Sequence, residues 1–352
     1  RNMTTKNKFG IRILFLTMFL ISTVFVPVAS AETLTEDTDN IAIGEMEYPV
    51  PEPEPITVLD TTPKLPYLHL LEADNEEQEI LFSYIDNCYV SDEEKEEMKK
   101  SMEDIWKRYP DQITEQDNLM LDKVAKATAE YLNDKYGNSE VGIKWIGQPV
   151  HGDIINISVK KWGVSDYYAG IARDHADDPD DWSDSEIWQS YHHYYNPNTH
   201  TGYAPSNCEY YANIAKTNYG DSQLTTAYTN LGYSSHYLQD VGNPLHTGYE
   251  VEQGMDKWIH YDYEDYVEAN WDSGYNFKSI VENNNNYYTI TDPEQATKDL
   301  AGYSNTYLDE LYQTIYFNPD TWENDADIRD LTEDVLLRTA KYNLGLVKYM
   351  RS

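Results

Sequence analysis

Apolar residues recur along most of this chain at intervals of three and four, the spacing that lines one face of an α-helix. Ile80, Leu81, Tyr84, Ile85 and Cys88 form a first stripe. Ser91-Asp92-Glu93-Glu94 reads as a capping box opening a second helix, with Met98, Met102, Ile105, Trp106 and Tyr109 inside and Pro110 as its stop,. Thr114-Glu115-Gln116-Asp117 opens a third, carrying Leu121, Val124, Ala125, Tyr131 and Leu132, and Gly137 ends it,. Further on, Ser222 leads into Leu224, Ala227, Leu231 and Leu238, and Asp256 is a candidate N-cap for a helix holding His260,. A last helix over roughly 328–350 repeats Leu331, Val335, Leu336, Ala340, Leu344 and Val347. No run alternates with period 2 and no segment repeats, so the pattern predicts an all-α chain.

Two stretches break the pattern. Residues 9–28 are almost wholly apolar, follow Lys6 and Lys8, and run into Ala29-Ser30-Ala31. A basic start, an apolar stretch and small residues at a cleavage position predict a signal peptide over 1–31 and a secreted product; a retained anchor is the competing reading. Residues 32–74 are acidic and proline-rich (Pro49-Val50-Pro51-Glu52-Pro53-Glu54-Pro55), which predicts an extended spacer,. Residues 75–144 then form a helical N-terminal region, and 145–352 the remainder.

Charge narrows the function. The full chain has 26 Lys and Arg against 62 Asp and Glu, and the first 31 residues hold four of the bases and none of the acids. So acidic a field repels nucleic-acid backbones and argues against a sequence-specific nucleic-acid partner. Two cysteines, Cys88 and Cys208, allow at most one disulfide,.

The histidines carry the chemistry. Eight of nine fall between positions 151 and 260. His236 and Asp240, and His260 and Glu264, stand four apart, which puts each pair on one helix face,. An imidazole nitrogen and a carboxylate so placed can grip a borderline metal ion. One such pair alone would more often be a surface ion pair. Two within 30 residues, with Asn243-Pro244-Leu245-His246 between them, predict a metal site. His175, His192, His193 and His200 lie upstream, as does His151 in Val150-His151-Gly152-Asp153.

The run Ser235-His236-Tyr237-Leu238-Gln239-Asp240-Val241-Gly242-Asn243-Pro244-Leu245-His246 resembles the core motif of the zinc-dependent phospholipase C and S1/P1 nuclease superfamily. So do His193-Tyr194-Tyr195-Asn196-Pro197 before it and His260-Tyr261-Asp262-Tyr263-Glu264 after it. The resemblance covers about 145–351. It implies an all-α fold with two to three zinc ions in one cleft, hydrolysing phosphodiesters. It implies that Asp174, His193, His236 and Asp240 hold one ion, and His246, His260 and Glu264 a second. A third would take His151, the bridging Asp240 and a terminal tryptophan, for which Trp145 is the candidate. Asp174 is then the residue expected to position or deprotonate the attacking water. Glu264, where the nuclease branch has Asp, and the short interval from His246 to His260 favour the phospholipase branch. The implied partner is a phospholipid at a membrane surface, with Tyr167, Tyr168, Trp182, Trp188 and Tyr191 as aromatics for its head group. No obligate protein partner is implied.

Two rivals stay open: a secreted single-strand nuclease, and a zinc-binding protein without turnover. Maturation also has two readings. Either residues 32–144 are a pro-region released by a cut before Trp145, or Trp145 is a core aromatic of an intact chain. In the first, a Cys88–Cys208 disulfide would keep the pro-region tethered.

Overall fold

Side chains at the predicted breaks do open helices. In the computed structural model, which describes residues 48–56, 64–137, 149–182, 192–249, 255 and 257–352, Ser91 and Glu94 cap α3 (Asp92–Arg108) reciprocally. Thr114 and Asp117 do the same for α4 (Glu115–Tyr136), and Gly137 closes it. A third box, Asp74 with Glu77, starts α2 (Asn75–Asn87). Each box satisfies amide groups that the first helical turn leaves without partners. Arg108 bonds both oxygens of Asp117, at 2.9 and 2.7 Å, and ties α3 to α4. The same guanidinium holds the Asp117 carboxyl below its ordinary range. Asp256 and Trp145 lie outside the described residues, as does the stretch 1–31.

Among the described residues the chain is all-α apart from two three-residue strands. After α1 (Leu68–Leu71) to α4 come α5 (Val150–Lys161), α6 (Asp166–Asp174), α7 (Asp178–Asp181), α8 (Ala204–Gly220) and α9 (Leu224–Asp240). A 3-10 turn, Pro244–Thr247, leads to α10 (Lys257–Ala269), α11 (Lys278–Asn283), α12 (Pro293–Phe317) and α13 (Ala326–Met350). Strand β1 (Glu52–Glu54) pairs in parallel with β2 (Asn286–Tyr288), Glu52 opposite Asn286. Both strands and α1 were absent from the pattern. β1 and α1 lie within the stretch read as an extended spacer, where Leu70 and Leu71 are buried. Residues 64–74 of that spacer are therefore packed structure.

Two apolar cores result. The first joins α1–α4 to α10 and α12, with Leu81, Met98, Leu121 and Leu132 meeting Trp258, Leu311 and Ile315. Tyr84 Oη donates to the Tyr316 carbonyl at 3.0 Å, and Tyr316 Oη to Thr128 Oγ1 at 2.8 Å. His69 on α1 is buried against the rings of Tyr312 and Tyr316, whose centroids lie 4.6 and 4.8 Å away. The second core joins α5, α6, α8, α9 and α13. There α9 runs close to the last turn of α6: a Cβ on Gly232 would stand 2.6 Å from the Ala172 carbonyl oxygen. Cys88 is buried in the first core and Cys208 in the second, both free, so the two do not pair. Among the described residues no helix is long and apolar enough to cross a membrane.

Candidate metal centre

Six segments drawn from both cores converge on one buried group of side chains. Helix α9 carries His236 and Asp240 one turn apart at its C-terminal end, and α10 carries His260 and Glu264 one turn apart within it. Asn243 turns the chain between them. Its side chain accepts from the Leu245 amide at 3.0 Å and caps the short turn that carries His246. His151 comes from the first turn of α5, Asp180 from α7, and His193 from the segment before Tyr194.

Distances sort these ligands into three groups. In the first, His236 Nε2 lies 2.9 Å from His193 Nδ1, 3.3 Å from Asp180 Oδ1 and 3.4 Å from Asp240 Oδ2. His193 Nδ1 is 3.5 Å from Asp180 Oδ1 and 3.0 Å from Asp240 Oδ2. A tetrahedral zinc ion with bonds of about 2.0–2.2 Å has ligand-to-ligand edges of roughly 3.3–3.6 Å. Three of these distances, 3.3–3.5 Å, match such edges and two, 2.9 and 3.0 Å, are shorter. The donors close enough together for one ion are those of Asp180, His193 and His236. In the second group, Glu264 Oε1 is 2.6 Å from His260 Nε2 and 3.5 Å from His246 Nε2. His246 Nδ1 lies 2.7 Å from the His193 carbonyl, which fixes its tautomer and leaves Nε2 for a metal,. The third group is His151, His236 and Asp240, with His151 Nε2 3.6 Å from Asp240 Oδ1. The two oxygens of Asp240 thus serve different groups.

The residues fit a cation. His151 Nε2, Asp240 Oδ1 and Glu264 Oε2 are buried without hydrogen-bond partners. Burial pushes the Asp240 carboxyl well above its ordinary range and Glu264 up to about 7. Burial also drives His151 down to about 3 and lowers His193 and His246. Two groups go against burial: the facing imidazoles of His236, His193 and His151 hold Asp180 below its ordinary value, and the carboxylates of Asp240 and Asp180 raise His236. Buried imidazoles and carboxylates so crowded are deprotonated together only against a positive ion.

One ligand predicted from sequence is not brought here. Asp174 ends α6 and turns outward, its Oδ1 bonded to Arg173 at 2.9 and 2.7 Å, with 62% of its side chain exposed. The position expected for it is filled by Asp180, whose side chain is 9% exposed. The sequence hid this because Asp177-Asp178-Pro179-Asp180-Asp181 offers four carboxylates in five residues. Of the other histidines, His175 Nδ1 lies 2.7 Å from Asp178 Oδ2, and His200 Nδ1 3.1 Å from Tyr195 Oη. Both are outside the three groups.

Trp182, just past Asp180, meets Tyr233 at 5.0 Å and Tyr211 at 5.6 Å between ring centroids. Tyr233 Oη donates to Asp178 Oδ2 at 3.1 Å. Of the other head-group aromatics, Tyr168 stacks on Tyr228 at 5.2 Å and Tyr167 is 66% exposed. Trp188 and Tyr191 lie outside the described residues.

No family model matches this chain, and no curated protein does. Among solved structures it is similar to Clostridium perfringens alpha-toxin isolated from avian strain SWCP, at 14% identity and a TM-score of 0.40 over 57% of this chain and 61% of that one. It is also similar to the alpha toxin from Clostridium absonum, at 16% identity and a TM-score of 0.42 over 60% of this chain and 65% of the other. This chain spans less than two thirds of either structure, and at these scores the likeness carries no argument about the site.

Proposed function

We propose that this chain is a secreted zinc-dependent phosphodiester hydrolase, most specifically a phospholipase C acting on zwitterionic lipids at a membrane surface. The observation that carries the reading is the group of Asp180, His193 and His236, with Asp240 beside it, next to a second group that has three protein ligands among the described residues. A site with three protein ligands keeps a position open, the mark of a catalytic rather than a structural zinc. Zinc bound there would lower the pKa of water towards neutrality and offset charge on a phosphate.

The chain's own residues do the rest. Asp180 Oδ1 faces the imidazoles, and the Asp180 carboxylate is the group we assign to orient the attacking water and take its proton, the role first given to Asp174,. The His193 carbonyl holds the His246 ring in place, so that ligand does not have to reorganise during turnover,. The trio of Trp182, Tyr211 and Tyr233, with the Asp178 carboxylate beside it, is the aromatic group we assign to a quaternary ammonium head group,.

The test is a hydrolysis panel: zinc-loaded protein on phosphatidylcholine, phosphatidylethanolamine, sphingomyelin and single-stranded DNA. Release of phosphocholine supports the reading; cleavage of DNA alone would transfer it to a nuclease. Export rests on residues 1–31, and N-terminal sequencing of protein from the medium checks it. A start at Glu32 fits signal removal alone, and a start at Trp145 fits further loss of 32–144.

A further inference from the structure

A hydrogen-bond chain enters the third ligand group from the C-terminal helix, and every link has a fixed direction. Asn343 Nδ2 on α13 donates to the Thr339 carbonyl at 3.0 Å, which turns Asn343 Oδ1 the other way. That oxygen accepts from Ser235 Oγ at 2.6 Å. Having given its proton, Ser235 Oγ accepts from Gln239 Nε2, also at 2.6 Å. Gln239 Nε2 lies in addition 3.3 Å from the His151 carbonyl, a second acceptor that an amide oxygen could not face. Gln239 Oε1 is therefore left pointing at His151 Nδ1, 2.9 Å away. An amide oxygen can only accept, so Nδ1 must carry the proton. Ser235, Gln239, Asn343 and His151 are all buried, so water does not substitute for any of these bonds.

We propose that Gln239 is a positioning residue that locks His151 in its Nδ1-protonated tautomer and aims the orphaned Nε2 at the ion shared with Asp240. The polarity originates at a backbone carbonyl of α13 and passes through three side chains. The motif that identified His236 and Asp240 thus contains, between them, the residue that prepares a ligand 88 positions away. This rests on the metal-binding reading for its function, though not for its tautomer.

Two measurements test it. Long-range ¹H–¹⁵N correlation spectra of metal-free protein, with His151 assigned by comparison with His151→Asn, should show the Nδ1–H tautomer. An Nε2–H tautomer overturns the proposal whether or not any variant folds. In a zinc titration against a competing chelator, Gln239→Met keeps the length but removes the acceptor. It should weaken the last ion about 10–100-fold and leave the others unchanged, the usual effect of losing a group behind a ligand. Gln239→Glu restores an acceptor and should bring the loss back to within about threefold, again on the scale of such partners. Unchanged affinity in Gln239→Met overturns the inference. Wild-type protein that binds no zinc sinks the metal reading instead, while the spectra still decide the tautomer.

Discussion

Lowering the pH from 7.5 to 5.0 should remove about 2 kcal/mol of stability through His69 alone. Burial against Tyr312 and Tyr316 lowers its pKa to about 3, and its Nε2 has no hydrogen-bond partner. In the unfolded chain an ordinary histidine titrates near 6.5. Between those values the unfolded state binds a proton that the folded state refuses, so stability is intact above 6.5 and is lost as pH falls below it. At pH 5.0 the gap is about 1.5 units, and each unit is worth about 1.4 kcal/mol. The figure is the same wherever the folded group titrates below about pH 4. Urea unfolding of wild type and His69→Phe, both in chelator, isolates it: the pH-dependent loss should be about 2 kcal/mol smaller in the variant. Equal losses in both proteins would refute the claim that His69 is buried and neutral.

Other outcomes separate the site's residues. Asp180→Asn should reduce bound zinc by about one ion and abolish turnover, whereas Asp174→Asn should change neither; metal analysis with activity on phosphatidylcholine decides, and the reverse pattern would restore Asp174. Trp182→Ala should raise KM for phosphatidylcholine with little change in kcat or zinc content, because it removes one face of the aromatic trio without touching a ligand,. Gly232→Ala should cost about 1–3 kcal/mol by thermal unfolding, since the added methyl meets a backbone oxygen that cannot rotate away,.

Helix starts were legible because caps are local. Ser91 with Glu94 and Thr114 with Asp117 close hydrogen bonds within four residues, so the letters suffice. Asp74 with Glu77 used the same chemistry inside an acidic run and went unread. The stretch that Ser222 leads into opens as α9 at Leu224, with Gln223 at its N-cap. The pairs at His236 and His260 were legible for the same reason as the caps, one helical turn joining both ligands. Asp180 was not, because its selection depends on how α7 sits against α9, and nothing within the acidic run distinguishes its members. β1 was hidden among prolines, because its partner is β2, far along the chain. Gln239 lay in plain view in the motif, but its role depends on Asn343, 104 residues on.

The pairing of β1 with β2 constrains the order in which this chain can fold. Residue 54 is fixed by Lys341, 287 positions later, through a 3.0 Å bond, and Tyr84 by Tyr316, 232 positions later. The entropy of closing such loops rises slowly with length, but contacts this distant in sequence slow folding, because nothing rewards the search until the ends meet. During synthesis α1–α4 emerge before α10 and α12, and part of the face they cover belongs to α12, among the last elements made. Until then Leu70, Leu81 and Met98 lack the α12 side of their core, Leu311 and Ile315, and the early chain is at its most prone to aggregate,. A nascent chain halted before Pro293 would therefore behave as a holdase client, however complete its own helices.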